Sequence, residues 1–176
     1  GQVERGDYYL LVTRITGAKG VSESTLAAER GRFRLKLVGE RVSANVKAQS
    51  SKYVEYLGRV EDKELAKLYS GAKGFVALAR DEDFGMTVVE AMAHGTPVLA
   101  LNSGGYRETV IPEIKKFNNS TIQQKGTGIL IDDTSVECVI NGIKQMEQTV
   151  WDHDQIIKWA KQFNRSVFEK KIREII

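Results

Sequence analysis

Cysteine is almost missing from this chain. The one thiol among 176 residues, Cys138, excludes an internal disulfide and fits a reducing compartment. It falls in the apolar series Val136, Cys138, Val139, Ile140, Ile143, which marks it for packing rather than for nucleophilic chemistry. Proline occurs twice and histidine twice; neither His94 nor His153 stands in a pattern for zinc or nucleophilic catalysis, so both read as structural. No apolar run approaches the ~20 residues that span a bilayer. With no secretory signal legible, the expected location is cytoplasmic, with a peripheral place at the inner face of a membrane open to a longer form. The balance of 26 basic and 23 acidic residues, net +3, is too mild to argue for nucleic acid, and no basic stripe is interleaved with aromatics. Neither G-x-G-x-x-G nor a Walker loop occurs, which disfavours dinucleotide dehydrogenases and P-loop enzymes. A hydrophobic share of 41% excludes disorder, and the length suits one domain around one sizeable core.

Short apolar runs alternate with helical patterns along the chain. Strands are expected at Tyr8–Thr13, Arg34–Val38, Val54–Leu57, Gly74–Ala79, Pro97–Leu101 and Gly128–Ile131. Helices are expected at about 21–30, at Glu61–Ala72, from Met86, from Gly105 to about Ile111, and at about 134–148, 151–163 and 166–176. Trp151, Trp159, Phe163 and Phe168 fit the core faces of the last two. Residues 40–52 read as a loop or a poor helix, and 112–127, polar and basic, as a surface loop of unknown role. The alternation predicts an α/β domain: a doubly wound parallel sheet of about six strands with helices on both faces. Ligands of such sheets sit at the carboxyl ends of the strands, near the point where the strand order reverses.

The most informative stretch is 81–105, DEDFGMTVVEAMAHGTPVLALNSGG. Seven residues separate Glu82 from Glu90. Between them Phe84, Gly85, Met86 and Thr87 turn a loop into an apolar helix, which Gly95 stops before Thr96-Pro97 forces the chain extended. A helix N-terminus on a glycine loop favours an anion. An acid before the loop and another one turn inside the helix are suited to accept hydrogen bonds from hydroxyls. Because the neighbours of Glu90 are apolar, it is expected on a buried face, in need of a partner or a ligand. Phosphate flanked by hydroxyl acceptors is what a sugar nucleotide requires.

Arg14 and Lys19 follow the first expected strand, as Glu82 follows the fourth, and in the usual doubly wound order those strands are neighbours. An arginine fork and a lysine point charge there can neutralise a diphosphate and stabilise the charge that grows on it as a sugar leaves. The plainer reading makes them two solvated surface cations. Asp81, Glu82 and Asp83 also invite a hard metal ion, but flanking the loop and favouring the helix N-terminus is the preferred role for the aspartates. Asp132 and Asp133 read as turn and capping residues. Ser103 is open between a phosphate contact and a turn.

Taken together these residues resemble the donor-binding signature of retaining GT-B glycosyltransferases of glycosyltransferase family 4. The motif E-x7-E, then EAMA-x-G-x-PV, then GG-x-x-E is present as Glu82…Glu90, Glu90–Val98 and Gly104-Gly105-Tyr106-Arg107-Glu108. VTRITGAKG resembles the family's VGR-x4-KG pattern, with Thr13 where glycine is usual. The resemblance implies one half of a GT-B fold: residues 1–176 as a single Rossmann-like C-terminal domain that binds the nucleotide sugar, with terminal helices at about 151–176 and the N-terminal acceptor domain absent. It implies that Arg14 and Lys19 bind the diphosphate, that Glu82 binds the transferred sugar and stabilises the anomeric carbon, and that Glu90 accepts from the ribose. Phe84, Gly85, Met86 and Thr87 would offer backbone N–H groups, and Val60 would lie beside the base. The implied reaction transfers a hexosyl unit to a glycan or lipid-linked acceptor, metal-independently, without a cofactor, and poorly if at all by this domain alone. DEDFG resembles mannosyltransferases of polysaccharide assembly, which makes GDP-mannose the first donor guess, with UDP-hexoses open. A sugar-nucleotide epimerase on the same fold and a non-catalytic sugar-nucleotide-binding module are the rival readings.

Overall fold

Each apolar run is too short to make a stable layer alone, and the alternation of buried side chains shows how they combine. In the computed structural model, which describes residues 5–15, 19–40, 50–112, 126–164, 166, 167, 169 and 173, six strands form one all-parallel sheet. They are β1 (Tyr9–Val12), β2 (Leu35–Val38), β3 (Val54–Gly58), β4 (Gly74–Ala77), β5 (Val98–Leu101) and β6 (Gly128–Ile131). The spatial order is β3-β2-β1-β4-β5-β6, so the order reverses between β1 and β4. The expected fold class is the observed one.

The helices are α1 (Val21–Gly31), α2 (Asp62–Gly71), α3 (Met86–Ala93), α4 (Tyr106–Thr109), α5 (Val136–Gln148) and α6 (His153–Ala160), with a 3-10 turn at Lys161–Phe163. Period-two alternation divides the core. Tyr9, Leu11, Leu35, Leu37, Val76 and Leu99 pack on one side, with Ala27 and Ala28 of α1 and with Val139, Ile143 and Met146 of α5. Leu10, Phe75, Val98 and Ala100 face the other side, against Leu68 and Tyr69 of α2, Val88, Ala91 and Met92 of α3, and Ile156 of α6. No helix among the described residues is long and apolar enough to cross a membrane.

Two expectations are adjusted. The strand expected to run to Ala79 leaves the ladder after Ala77, while Leu78 and Ala79 stay buried. Gly20 lies against Leu78, so close that a Cβ there would sit 2.4 Å from the Leu78 Cβ, and the start of α1 takes the space beside this strand end. The helix from Gly105 is a single turn, because Val110 is extended and Pro112 pairs with Gly128 beside β6. Of the expected helix at 166–176, residues 166, 167, 169 and 173 are helical; Phe168 lies outside the described residues. So do 41–49 of the polar stretch 40–52 and 113–125 of the stretch 112–127, whose ends meet where Thr127 N–H donates to Ile111 O at 2.8 Å.

Arg5 ties two helix ends together. Its guanidinium donates to Ala72 O at 2.7 Å after α2, to Gly95 O at 2.6 Å after α3, and to Thr96 Oγ1 at 2.8 Å. Thr96, fully buried, donates its own hydroxyl hydrogen bond to Tyr69 O at 2.6 Å. A cation at two helix carboxyl ends opposes both dipoles. This is what holds the far end of α3 while its N-terminus points at the crevice.

Candidate functional site

Four segments converge where β1 and β4 end. Arg14 follows β1, Lys19 and Gly20 start α1, Glu82 follows β4, and Gly85–Thr87 start α3. Gly20 and Gly85 are the N-caps of these two helices, with φ of 69° and 81°, a left-handed conformation that glycine adopts without strain. Each glycine also permits a close approach: a Cβ on Gly85 would meet the Tyr106 ring at 2.9 Å.

The Lys19 ammonium donates to Glu82 Oε2 at 2.9 Å, while Glu82 Oε1 accepts from the Gly85 N–H at 3.3 Å. One carboxylate thus joins the start of α1 to the start of α3. The first-turn N–H groups of Met86 and Thr87 have no intrahelical acceptor and add positive potential beside Lys19. The cavity lined by Lys19, Glu82, Thr87 and Tyr106 holds about 20 Å3, room for about one water. Any ligand larger than a water would therefore have to lie across the mouth of this crevice rather than inside it.

The glycine pair explains how the acid-bearing loop is held. Gly105 N–H donates to Glu82 O at 2.8 Å. A Cβ on Gly104 would stand 2.4 Å from Glu82 O, and one on Gly105 2.3 Å from Asp83 O. No other residue lets the turn after β5 seat the 82–84 loop this closely. Tyr106, buried beneath, supports the same loop; burial first, and then the Glu82 charge, push its phenol well above the ordinary tyrosine range, with a hydrogen bond to the Ala79 backbone acting the other way.

Arg14 is exposed, and among the described residues no hydrogen bond or ion pair holds its guanidinium. Thr16–Ala18, between the two cations, lie outside the described residues. Phe84 and Met86 are exposed, 37% and 62%, and flank the start of α3. The Phe84 ring meets Phe163 edge-on at 5.7 Å, and Phe163 meets Trp159 at 5.9 Å, tying the loop to the terminal 3-10 turn. Trp159 is anchored in turn by donating to Thr109 O at 2.7 Å. Val60 follows β3, two strands from β1, and packs partly buried on the α2 side of the core.

Glu90 corrects the reasoning applied to it. It is exposed, not on a buried face, because α3 turns Val88, Ala91 and Met92 inward instead. It does have a partner: the buried Tyr69 hydroxyl donates to Glu90 Oε2 at 2.8 Å. Burial and the Glu90 charge together raise the Tyr69 phenol far above its usual range. Asp81 and Asp83 are exposed, and among the described residues no group of three or more His, Cys, Asp or Glu side chains is placed to hold a metal ion.

The remaining polar residues have structural partners. The Ser135 hydroxyl first, and then the Ser135 N–H that donates to it at 2.7 Å, hold the Asp133 carboxyl below the usual range, and Ser135 itself caps α5. His94 Nδ1 lies 2.8 Å from Glu90 O with its ring stacked on Tyr69, and His153 Nδ1 lies 2.8 Å from Gly95 O. Ser103 Oγ donates to Arg80 O at 3.3 Å, a turn contact. Tyr69 and Tyr106 were passed over as chemistry in the sequence: Tyr69 fell on an apolar helix stripe, and Tyr106 stood inside the GG-x-x-E string.

Known proteins share the sequence pattern and the fold of this chain. The family described as "Glycosyl transferases group 1" matches residues 1–163. A GDP-mannose-dependent alpha-mannosyltransferase of Mycolicibacterium smegmatis is 32% identical over 130 residues, 73% of this chain and 31% of that protein. Sucrose synthase 5 of Oryza sativa subsp. japonica is 40% identical over 81 residues, 46% of this chain and 10% of that protein. The solved sucrose-phosphate synthase of Thermosynechococcus elongatus superposes with a TM-score of 0.70 at 24% identity, covering 99% of this chain and 45% of that one. The chain thus spans a tenth to just under half of the length of these proteins. It belongs to the group 1 glycosyl transferases, and its six-stranded sheet is a Rossmann-like domain of the kind found in GT-B glycosyltransferases.

Proposed function

We propose that this chain is the donor-binding domain of a retaining hexosyltransferase. Its enzyme takes a hexosyl unit from a nucleoside diphosphate sugar and passes it to a glycan or lipid-linked acceptor held mainly by a second domain. The observation that carries the proposal is the Lys19–Glu82 pair, 2.9 Å apart at the N-terminus of α3, in the crevice where the strand order reverses. A cation for phosphate and an acid for hydroxyls stand side by side there.

In this reading the diphosphate lies over Lys19, Arg14 and the N–H groups of Met86 and Thr87. These groups offset the charge that grows on the departing diphosphate, which is where fixed donors and cations lower a barrier most. Two side-chain cations and a helix N-terminus supply that compensation from the chain itself, so no bridging metal is required by the proposal. Glu82 accepts from the sugar hydroxyls and faces the positive charge developing at the anomeric carbon. Glu90, held by Tyr69, accepts from the ribose, and the chain after β3 near Val60 lies beside the base. The acceptor hydroxyl attacks on the face the diphosphate leaves, which retains the anomeric configuration. Mannosyl transfer from GDP-mannose is favoured by the DEDFG string and by the name of the mycobacterial relative.

Calorimetric titration with GDP-mannose, UDP-glucose, GDP and UDP, first without and then with Mg²⁺, tests the proposal. Metal-independent binding of one nucleotide series, lost in Arg14→Ala, supports it and identifies the base. Binding that appears only with Mg²⁺, or that ignores Arg14→Ala, contradicts it.

A further inference from the structure

The opposite end of the sheet carries a second feature that the transfer reaction does not use. A cavity of about 460 Å3 opens at the amino ends of β1 and β2, within the range of small-molecule sites. Tyr9, Phe33, Ile140 and Ile143 give it an apolar wall. Arg32, Arg34, Lys52, Lys73 and Lys144 bring cations to it, against the acids Asp7 and Glu147.

Both acids are already engaged. Lys73 bridges them, 2.8 Å from Asp7 and 3.8 Å from Glu147, and Glu147 also accepts from the Tyr9 hydroxyl at 3.4 Å. Lys52 stands over the Tyr53 ring, 5.2 Å from its centroid. Arg32, Arg34 and Lys144 have no hydrogen-bonded or ion-paired side-chain partner among the described residues. After Lys73, Arg34 also acts on the Asp7 carboxyl and helps to hold it below its usual range, yet five cations against two acids leave the cavity net positive beside an apolar wall.

Helix dipoles account for part of this arrangement, since α1 and α5 both end nearby and cations suit their carboxyl ends. They do not account for Arg34, which lies on no helix, nor for the backbone of Arg32. Arg32 is the one non-glycine residue with positive φ among those described, at φ 57° and ψ 37°. That C-cap position is one glycine fills without strain. An arginine held there points to a use for its side chain. A second cavity, of about 380 Å3, shares Asp7, Arg34, Lys52 and Tyr53 with the first, so Arg34 and Lys52 stand between two spaces.

We propose that this cavity is a second anion site, which binds a soluble phosphorylated ligand of sugar-phosphate or nucleotide size. Its phosphate lies on Arg32, Arg34 and Lys144, and its remainder lies against Phe33 and Ile140. The site is separate from the donor crevice, because it opens at the amino rather than the carboxyl ends of the strands, and the inference stands without the donor reading.

The test is calorimetry with inorganic pyrophosphate on the full chain at low salt, in three forms. In the wild type, binding is expected with more than one class of site. In Arg14→Gln/Lys19→Gln, which removes the donor-side cations, saturable binding persists. Adding Arg34→Gln/Lys144→Gln to that form weakens the remaining binding at least tenfold; these side chains are exposed and hold no hydrogen bond or ion pair among the described residues, so their loss leaves the fold intact, as circular dichroism would verify. The proposal is overturned if the first double variant abolishes all binding, or if the added pair changes nothing. It is also overturned if the chain ignores pyrophosphate yet sediments with phosphatidylglycerol vesicles in an Arg34- and Lys144-dependent way. Loss confined to the Arg34/Lys144 pair, with no effect of Arg14 and Lys19, would count against the donor reading and not against this one.

Discussion

Glu82→Gln separates the two roles assigned to one carboxylate. The substitution removes the negative charge beside Lys19 and keeps an oxygen for the Gly85 N–H, so the loop geometry is retained. With the Lys19 and Glu82 side chains 25% and 27% exposed, the pair contributes only about 0.2–1 kcal/mol. A diphosphate that recruits Lys19 must disrupt this pair, so freeing the lysine tightens a free nucleoside diphosphate about 1.4- to 5-fold. A sugar-bearing donor gains the same amount but loses charge assistance at the sugar hydroxyls. That loss is about 1 kcal/mol for each of one or two hydrogen bonds. The preference for the sugar-bearing donor over the free diphosphate should therefore fall about 5- to 30-fold. Calorimetric dissociation constants for GDP and GDP-mannose, and for UDP and UDP-glucose, measured at fixed ionic strength in both forms, give this ratio directly. Weaker binding of the free diphosphate in Glu82→Gln, or an unchanged ratio, would refute the reasoning.

Three further outcomes follow from the same structure. Gly105→Ala places a Cβ 2.3 Å from Asp83 O and 2.5 Å from Phe84 Cα, both backbone atoms. The 82–84 loop must shift, at a cost of about 1–3 kcal/mol in stability, and nucleotide affinity measured by calorimetry should fall at least about tenfold. Arg5→Ala removes the cation from the ends of α2 and α3 and should destabilise the chain by about 2–4 kcal/mol; for a domain of this size the thermal midpoint then drops by about 5–15 °C by calorimetric scan. Tyr8, Tyr9, Tyr69 and Tyr106 are all held above the ordinary tyrosine range, burial being the first cause in each. Raised folded-state values mean that this stabilisation is fully present below the unfolded value near pH ~10 and is lost as pH rises beyond it. Ultraviolet titration should show these four of the six phenols ionising only as the chain unfolds; reversible ionisation of more than two phenols near pH ~10 in a folded chain would contradict the burial argument.

The fold and the convergence of Lys19, Glu82 and the start of α3 were legible because local signals agreed with each other. Strands read from apolar runs, and Gly85 and Gly95 bounded the motif helix. The strand order then placed Lys19 beside Glu82, as their positions after neighbouring strands had implied. What was not legible depended on side-chain direction across the fold. Glu90 has apolar neighbours in sequence, yet α3 turns it outward; a run of apolar residues on an eight-residue helix does not identify which face is buried. Tyr69 looked like one more core residue on α2, and only the packing of α2 near α3 sets its hydroxyl on Glu90. The tight seating of Gly104 and Gly105 against the 82–84 loop is a contact between segments some twenty residues apart. Spacing alone carries no trace of such distances. The basic cavity at the amino ends of the strands was invisible for the same reason, since its cations come from α1, α5 and the starts of three strands.

The central claim is that a diphosphate binds over Lys19 at the start of α3. A crystal structure of the chain with the tighter-binding of GDP and UDP tests it most directly. The account predicts phosphate oxygens within hydrogen-bond distance of Lys19 Nζ and of the Met86 or Thr87 N–H, with the Lys19–Glu82 pair opened. A nucleotide bound elsewhere, with that pair still closed at 2.9 Å, would contradict it.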